Sequence, residues 1–406
     1  MTMLRLAETQ GAFPGDWIDR LGPGGRGSTP CCSRAHGIAD QGFRGAAVGK
    51  NPVDATDYGD AAHRSVRGRI RCTTSIIVLN WNGWQDTVEC LESLRRLSQP
   101  DVQIIVVDNG STDDSCDRIL EWAAANRKGE TLCTRHNSDQ VKQQEEDGSQ
   151  VLLVTAGLVV IEAGANGGYA AGNNVGIRWA LVNTDCEFVW ILNNDCVVEP
   201  DSLSCMVKAM SDDSHAWICG ATIRSYREHD RILMTGGARL SHVTFHSTPV
   251  VLGGDERTQK LVQKRLSYIV GACMLVSRSL FEKVGLLSEH YFLFFEEPDL
   301  MERAGRDCRL AVAFDATVYH KEGSATGSVS AARHKSPLAD YYSFRSRLLF
   351  VAAFYPHRLW LVWLELPVYV LSRLAVGKPA NANGILRAGR DFLRLRWSTD
   401  LTRETS

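Results

Sequence analysis

Apolar, β-branched runs that stop abruptly at polar residues punctuate this chain from Thr73 onward. "TSIIVLNWNG" (74–83) is one such run, and "DTVECLESLRRL" follows it with Val88, Leu91, Leu94 and Leu97 at helical spacing. Asp86 is placed to cap that helix. "VQIIVVDNGSTDDS" (102–115) repeats the theme: a second strand ending in Asp-Asn-Gly-Ser, then a helix from about Asp114 to Ala125. Strand-like character returns in "VLLVTAGLVVIEAG", and a Gly-rich turn opens a helix in "NGGYAAGNNVGIRWALVN". "FVWILNND" reads as a further strand, with a helix starting at Pro200-Asp201. Strand alternating with helix predicts an α/β fold with a mostly parallel sheet flanked by helices. Ligands of such sheets bind beyond the carboxyl ends of the strands. The polar residues closing each run therefore gather at one edge.

Three regions depart from this pattern. Residues 1–72 hold 12 of the 35 glycines and show no periodicity, which predicts a poorly ordered leader. Residues 127–150 are strongly polar and read as a surface insertion. The tail, 338–406, carries "LWLVWLELPVYVLSRL", interrupted by Glu365 and Pro367. That run is too broken to span a membrane. Trp360, Trp363 and Tyr369 suit an interfacial helix, and a helix packed on the preceding domain fits equally. The central domain is then 73–337.

Composition narrows the class. At 406 residues, 44% hydrophobic and with a net charge of -2, the chain has no basic field for nucleic acid. Its 12 cysteines include no CxxC pair, which argues against a thiolate zinc site and for a reducing, cytoplasmic setting. No signal-peptide core opens the chain.

Four clusters carry candidate chemistry, and each has a plain structural reading beside the functional one. "NND" (193–195) is either a turn or a cation site, since hard cations take carboxylate and amide oxygens. Asp108 either accepts bonds from a nucleoside or belongs to a helix start in which Ser111 or Thr112 is the cap. Glu296, Glu297 and Asp299 crowd together after an aromatic run. They are either a helix start with Pro298 at its first position, or a carboxylate group with one pKa raised for general-base work. His320 closes an apolar run and is a structural histidine, a metal ligand or a diphosphate contact. The Gly-Ser-Ala-Thr-Gly after it could fold over phosphate.

The order of the motifs is specific. "IIVLNWNGWQDTVECLESL", "IIVVDNGSTDDS", "NGGYAAGNNVGIRWAL", "ILNNDCVVEP", "GACMLVSRSLFEKVGLLSE", "FLFFEEPDLMERAGR" and "YHKEGSATG" occur in succession. Over about 73–350 this resembles a family 2 glycosyltransferase of GT-A fold, and within it the rhamnosyltransferase-like branch that builds bacterial surface polysaccharides. The resemblance implies inverting transfer of a sugar from a nucleotide-sugar donor to a glycan or lipid-linked acceptor at the inner face of the cell membrane. It implies dTDP-rhamnose as donor, with UDP-galactofuranose or a UDP-hexose as alternatives. By position, Asn80 and Asp108 would contact the nucleoside, and Asn166, Gly168 and Asn173 would line the donor pocket. Asn193, Asn194 and Asp195 stand in the place of the family's DXD motif. Asp195 would hold Mg²⁺ or Mn²⁺ with His320 nearby. Glu297 stands at the catalytic base, followed by Asp299 and Arg303. Glu replaces the usual Asp at 297, which leaves Glu296, Glu297 and Asp299 all open as the base. Ser288 replaces a frequent Asp, and "NND" has a single carboxylate. Two rivals remain: a nucleotidyltransferase, whose Gly-rich basic loop "LNWNGWQD" does not provide, and a catalytically silent nucleotide-sugar-binding protein.

Overall fold

A computed structural model describes residues 69–126, 134–137, 157–251, 261–262, 264–321 and 335–397. The leader to residue 68, most of the 127–150 insertion and the Gly-Ser-Ala-Thr-Gly sequence at 323–327 lie outside the described residues.

The first half runs β1 (Thr74–Asn80), α1 (Trp84–Leu94), β2 (Val102–Asp108), α2 (Ser115–Ala125), β3 (Thr134–Asn137), β4 (Leu158–Glu162), α3 (Tyr169–Asn183) and β5 (Phe188–Asn193). Then come β6 (Cys196–Val198), α4 (Ser202–Ser211), β7 (Ala216–Ser225), β8 (Ile232–Thr235), β9 (Gly237–Leu240), β10 (Ser247–Pro249), β11 (Tyr268–Ile269) and β12 (Cys273–Ser277). The chain continues through α5 (Arg278–Val284), α6 (Glu296–Ala304) and β13 (Arg309–His320) to three helices: α7 (Pro337–Phe354), α8 (Leu359–Ala375) and α9 (Pro379–Trp397).

The main sheet has the order β3-β4-β2-β1-β5-β12-β7-β13-β6, with β8 added beside β7. From β3 to β5 every pairing is parallel, and antiparallel pairings enter at β12. This is the mixed, mostly parallel α/β sheet that the strand–helix alternation predicts. The chain winds outward from β1 in one direction through β2 and in the other to β5, so the sheet's switch point lies at β1. Register places Asn80 opposite Asp108, and Leu79 opposite Asn193. The polar strand ends thus share one edge.

Alternation builds two cores from single strands. Ile76, Val78 and Val106 face Leu91, Ile119 and Met206 on one side. Ile77, Ile105 and Val107 face Ile177, Trp179 and Leu300 on the other. A third core joins α7, α8 and α9 to the small sheet β10-β9-β11 and to the loop before α6, through Phe245, Tyr291, Phe295 and Phe350. The tail is helical, and among the described residues no helix is long and apolar enough to cross a membrane.

Local starts differ from the sequence reading in four places. Asp86 does not cap α1; Gly83 holds that position, and Asp86 lies in the first turn, paired with Lys321. Asp114 holds the cap position of helix α2 without a side-chain capping bond, while Ser111 and Thr112 bond to Asp108 and Asn82 instead. Pro200 precedes α4, with Asp201 at the cap position but making no side-chain capping bond. Pro298 is the third residue of α6, not the first, because the helix already begins at Glu296. Its missing N–H falls among the first-turn donors that have no intrahelical partner anyway.

Candidate active site

The edge is wired by amides. Asn80 is wholly buried, and its Nδ2 donates to Asp108 Oδ1 at 2.7 Å and to Ser111 Oγ at 3.2 Å. Its Oδ1 accepts from Thr87 Oγ1 at 2.7 Å. The expected nucleoside contact by Asn80 is therefore replaced by a positioning role: its amide is used up holding Asp108. Asp108 also accepts from the Ser111 backbone N–H at 3.0 Å and from the Ser111 hydroxyl at 2.6 Å. Both structural and ligand-facing readings of this turn remain compatible, since a carboxylate has about four acceptor sites.

Asn109 is a residue the sequence reading missed. Its Nδ2 donates to Asn166 Oδ1 and to the Gly168 carbonyl, each at 3.1 Å. It thereby ties the β2 turn to the loop that opens α3. No periodicity marks such a residue; only its place after a strand-ending Asp hints at it. Asn166 in turn accepts from the Gly168 N–H at 3.0 Å. Gly168 has φ +91°, and a Cβ there would sit 2.3 Å from the Phe292 carbonyl oxygen, so only glycine fits. Asn173 is buried in α3, its Nδ2 bonded to the Tyr169 carbonyl and its Oδ1 without a hydrogen-bond partner.

"NND" forms the turn between β5 and β6. Asn194 points back to α1, donating to Thr87 Oγ1 at 3.1 Å. Asp195 is buried and faces forward, its Oδ1 3.1 Å from His320 Nε2. Register across β6 and β13 sets His320 opposite Cys196. Asp195, Cys196 and His320 bring one donor atom each within 4.8 Å of one another. Burial pushes the Cys196 thiol well up, and it donates to the Ala272 carbonyl. The oxygen and nitrogen donors of Asp195 and His320 are thus the pair that fits a divalent cation.

The three carboxylates after the aromatic run separate by environment. Asp299 accepts from Arg303 Nε at 2.6 Å and from the Tyr291 hydroxyl at 3.0 Å. Arg303 further donates to the carbonyls of Val284 and Leu286. Asp299, expected among the catalytic carboxylates, is therefore occupied as a structural anchor of α6. Glu296 is buried, with Oε2 lacking a partner, and burial together with the neighbouring Glu297 charge pushes its carboxyl well up. Glu297 is half-buried, and its Oε1 accepts the Gly271 N–H at 2.8 Å. Burial raises its carboxyl above the ordinary range, while that N–H opposes the rise. The pair can divide one proton: Glu296 keeps it, and Glu297 is free to accept another.

Segment 270–273 links the two ends of the site. Gly271 serves Glu297, and the Tyr169 hydroxyl donates to the Gly271 carbonyl at 2.7 Å. The next carbonyl, Ala272, accepts from the Asn193 N–H at 3.0 Å and from Cys196. Glu297 and the two residues nearest Asp195 in this corner, Asn193 and Cys196, thus bond to adjacent residues, Gly271 and Ala272.

The model of the family described as "Glycosyl transferase family 2" matches residues 75–143 and 141–285, together just over half of the chain. The chain belongs to glycosyl transferase family 2. Within this family, a curated relative in Mycobacterium tuberculosis, "N-acetylglucosaminyl-diphospho-decaprenol L-rhamnosyltransferase", is 26% identical over 273 residues, covering 62% of this chain and 80% of the relative. A low-salt glycan biosynthesis hexosyltransferase of Haloferax volcanii is 27% identical over 197 residues, 47% of this chain. The chain spans 58% of the length of that haloarchaeal relative. Among solved structures, a mannosyltransferase from Pyrobaculum calidifontis in complex with GDP-Man and Mn²⁺ matches at TM-score 0.45 and 14% identity, over 81% of this chain and 88% of that one.

The two roles assigned to the α6 carboxylates separate in stability measurements. Asp299→Ala leaves Arg303 unmatched and is expected to lower stability by about 2 kcal/mol in chemical denaturation. Glu297→Gln should leave the midpoint unchanged or raise it at neutral pH. A carboxyl whose pKa is raised on folding loses stability as pH climbs from its unfolded to its folded value, and glutamine removes that loss. Equal destabilisation by both would contradict the division of roles.

Proposed function

We propose that this family 2 member transfers a sugar, with inversion, from a nucleoside diphosphate sugar to an acceptor hydroxyl. The observation that carries the reading is the shared suspension of Glu297 and the Asp195 corner from Gly271 and Ala272, at the carboxyl edge of the sheet's switch point. The nucleoside diphosphate lies along that edge, with Asp108 and the 166–173 segment beside it. Asp195 and His320 would hold Mg²⁺ or Mn²⁺. Such a cation, when bound, neutralises charge on the leaving diphosphate. Glu297 takes the acceptor's proton as the acceptor oxygen attacks the anomeric carbon. The new C–O bond forms on the face opposite the breaking bond to the diphosphate, which gives inversion. Glu296, kept protonated, leaves Glu297 as the base.

The donor we favour is dTDP-rhamnose, supported by curated relatives named as rhamnosyltransferases in Mycobacterium tuberculosis and Escherichia coli. UDP-galactofuranose and UDP-hexoses are the competing donors. The acceptor is a lipid-linked or polymeric glycan. The protein acts at the inner face of the membrane, lying on it rather than crossing it. Helix α8 supports this: Trp360, Leu364, Val368 and Leu371 are each about 60% exposed and form one stripe opposite its buried Leu359 and Val362. On α9, exposed Leu386 and Leu393 accompany exposed Arg390 and Arg394.

Transfer from dTDP-rhamnose with Mn²⁺ should fall by roughly 10²–10⁴-fold in Glu297→Gln, the span typical of a lost general base. kcat/KM should rise with pH along a limb displaced above the ordinary glutamate range, because only ionised Glu297 accepts the proton. Full activity in Glu297→Gln would remove the assignment, and activity with a UDP-sugar alone would replace the donor. For the membrane contact, co-sedimentation with vesicles of mixed neutral and anionic lipid should be lost in the Leu364→Asp/Leu371→Asp double variant. Unchanged sedimentation would place the lipid contact elsewhere.

A further inference from the structure

Two thiols face each other at the entrance to β1. Ile70 forms a parallel bridge with Thr184, and β1 pairs with β5 from Thr74 opposite Phe188 onward. The offset is the same on both sides, so Cys72 stands opposite Cys186 in the stretch between. Backbone bonds hold that stretch together. The Asp185 N–H donates to the Ile70 carbonyl at 3.0 Å, the Glu187 N–H to the Thr73 carbonyl at 3.1 Å, and the Cys72 N–H to Asp185 Oδ1 at 3.0 Å. Paired strands lie about 4.8 Å apart, inside the roughly 4.4–6.8 Å Cα separation that a disulfide spans. Both side chains enter the same core, the one shared with Ile177 and Trp179 of α3.

The side chains form one hydrogen-bonded group. Cys72 Sγ lies 3.7 Å from Ser75 Oγ, which lies 3.2 Å from Thr184 Oγ1. The Cys186 N–H donates to that Thr184 oxygen at 3.3 Å. The two thiols bond to each other. Arg278 closes the group from the start of α5. It donates to the Thr184 carbonyl at 3.0 Å and to the Leu181 carbonyl at 2.6 Å, which sets its charge beside Cys186.

This environment divides the pair. The bond from Cys72, with the hydroxyls of Ser75 and Thr184 and the Arg278 charge, holds the Cys186 thiol below its ordinary value against the effect of burial. Its bond to Cys186 and its burial push the Cys72 thiol up. Cys186 therefore carries the thiolate character and Cys72 keeps the hydrogen. Cys90, Cys219 and Cys273 contrast with Cys186, since burial pushes each of their thiols up. Thiol reactivity follows thiolate character, which singles out Cys186 among these. Cys72 is 8% exposed and Cys186 fully buried, so only a small uncharged oxidant reaches them. Hydrogen peroxide is of that class.

We propose that Cys72 and Cys186 form an oxidation site, a dithiol that hydrogen peroxide converts to an intramolecular disulfide. The Cys186 thiolate attacks one peroxide oxygen: an S–O bond forms, the O–O bond breaks and hydroxide leaves. The Cys72 sulfur then attacks the sulfenic sulfur: the S–S bond forms, the S–O bond breaks and the departing hydroxyl leaves as water with the Cys72 proton. Two thiols lose two electrons, the peroxide gains them, and two waters result once the first hydroxide takes up the proton Cys186 had released. The bond staples the segment leading into β1 to the segment leading into β5, the strands at the sheet's switch point. Disulfides of this kind in a reducing compartment are transient and redox-sensing. The inference stands on these residues alone and is independent of the donor and base assignments.

The test is peroxide treatment of the folded full chain, followed by unfolding in N-ethylmaleimide and mass spectrometry of the unreduced digest. A linked Cys72–Cys186 peptide, two hydrogens lighter than its parts, should form, and dithiothreitol should remove it. The two thiols should leave the free pool at least about tenfold faster than Cys273, because thiolate fraction sets the rate. In Cys72→Ser and in Cys72→Ala, Cys186 should stop at the sulfenic acid, trapped by dimedone added with denaturant. In Cys186→Ser, Cys72 should take no dimedone. Absence of the linked peptide in the wild-type chain, or a yield no higher than in urea-unfolded protein, overturns the site. Dimedone on Cys72 in Cys186→Ser, with none on Cys186 in the Cys72 variants, overturns the order of attack.

Discussion

The structure depends on holding a carboxylate where water would not leave it unassisted. Glu297 stands in the first turn of α6, behind two consecutive bulky residues with left-handed backbone, Phe294 at φ +69° and Phe295 at φ +74°. Such a conformation is unfavourable for any side chain with a Cβ and persists only where the surroundings over-determine it. Here they do. Phe295 is packed against Phe350 of α7, the Ser346 hydroxyl of α7 donates to the Leu293 carbonyl at 2.8 Å, and Phe292 stacks on Tyr342. On the other side, the Phe292 carbonyl accepts the Tyr169 N–H that begins α3. One strained loop is therefore gripped by the donor edge and by the C-terminal helices at once.

That grip explains why the tail belongs to the site. Helices α7 to α9 supply much of the third core and the cationic walls of the cavity beside Glu297, while α8 turns an apolar stripe outward. The same helices thus brace Glu297, wall the cavity beside it and leave an apolar stripe exposed. The helix N-terminus favours a negative charge on Glu297, and the Gly271 N–H favours it further, against the opposing effect of burial. The proposed base role of Glu297 would need that balance: ionised often enough to accept a proton, and basic enough to pull one.

Much of this was legible in the chain. The continuous apolar runs "TSIIVLN" and "VQIIVVD", each closing on a polar residue, mark two buried strands and the edge at which they end, because a strand end in a doubly wound sheet is fixed by the hydrophobic run before it. Asp195, in the turn after β5, and His320, at the end of β13, lie 3.1 Å apart, because β6 after that turn pairs with β13. Contacts across long separations were not legible. Asp86 lies inside the first turn of α1, which begins at Trp84, and there it pairs with Lys321, 235 residues later. Asn80 reads as a ligand contact until its neighbours are seen to occupy its amide. Nothing in Phe294 and Phe295 announces a left-handed turn, as aromatic residues carry no preference for it. The cationic cavity escaped altogether, being assembled from Lys335, Arg347 and His246 on separate elements.

The central claim is that the sheet edge binds a nucleoside diphosphate through a divalent cation. It is tested most directly by thermal unfolding of the purified protein against dTDP, UDP and GDP, with and without Mn²⁺. At 100 times its dissociation constant, a ligand bound only by the folded protein adds roughly 2.7 kcal/mol. The account predicts a rise with dTDP that requires the cation and disappears in Asp195→Ala. Stabilisation by no nucleotide under any condition would contradict it.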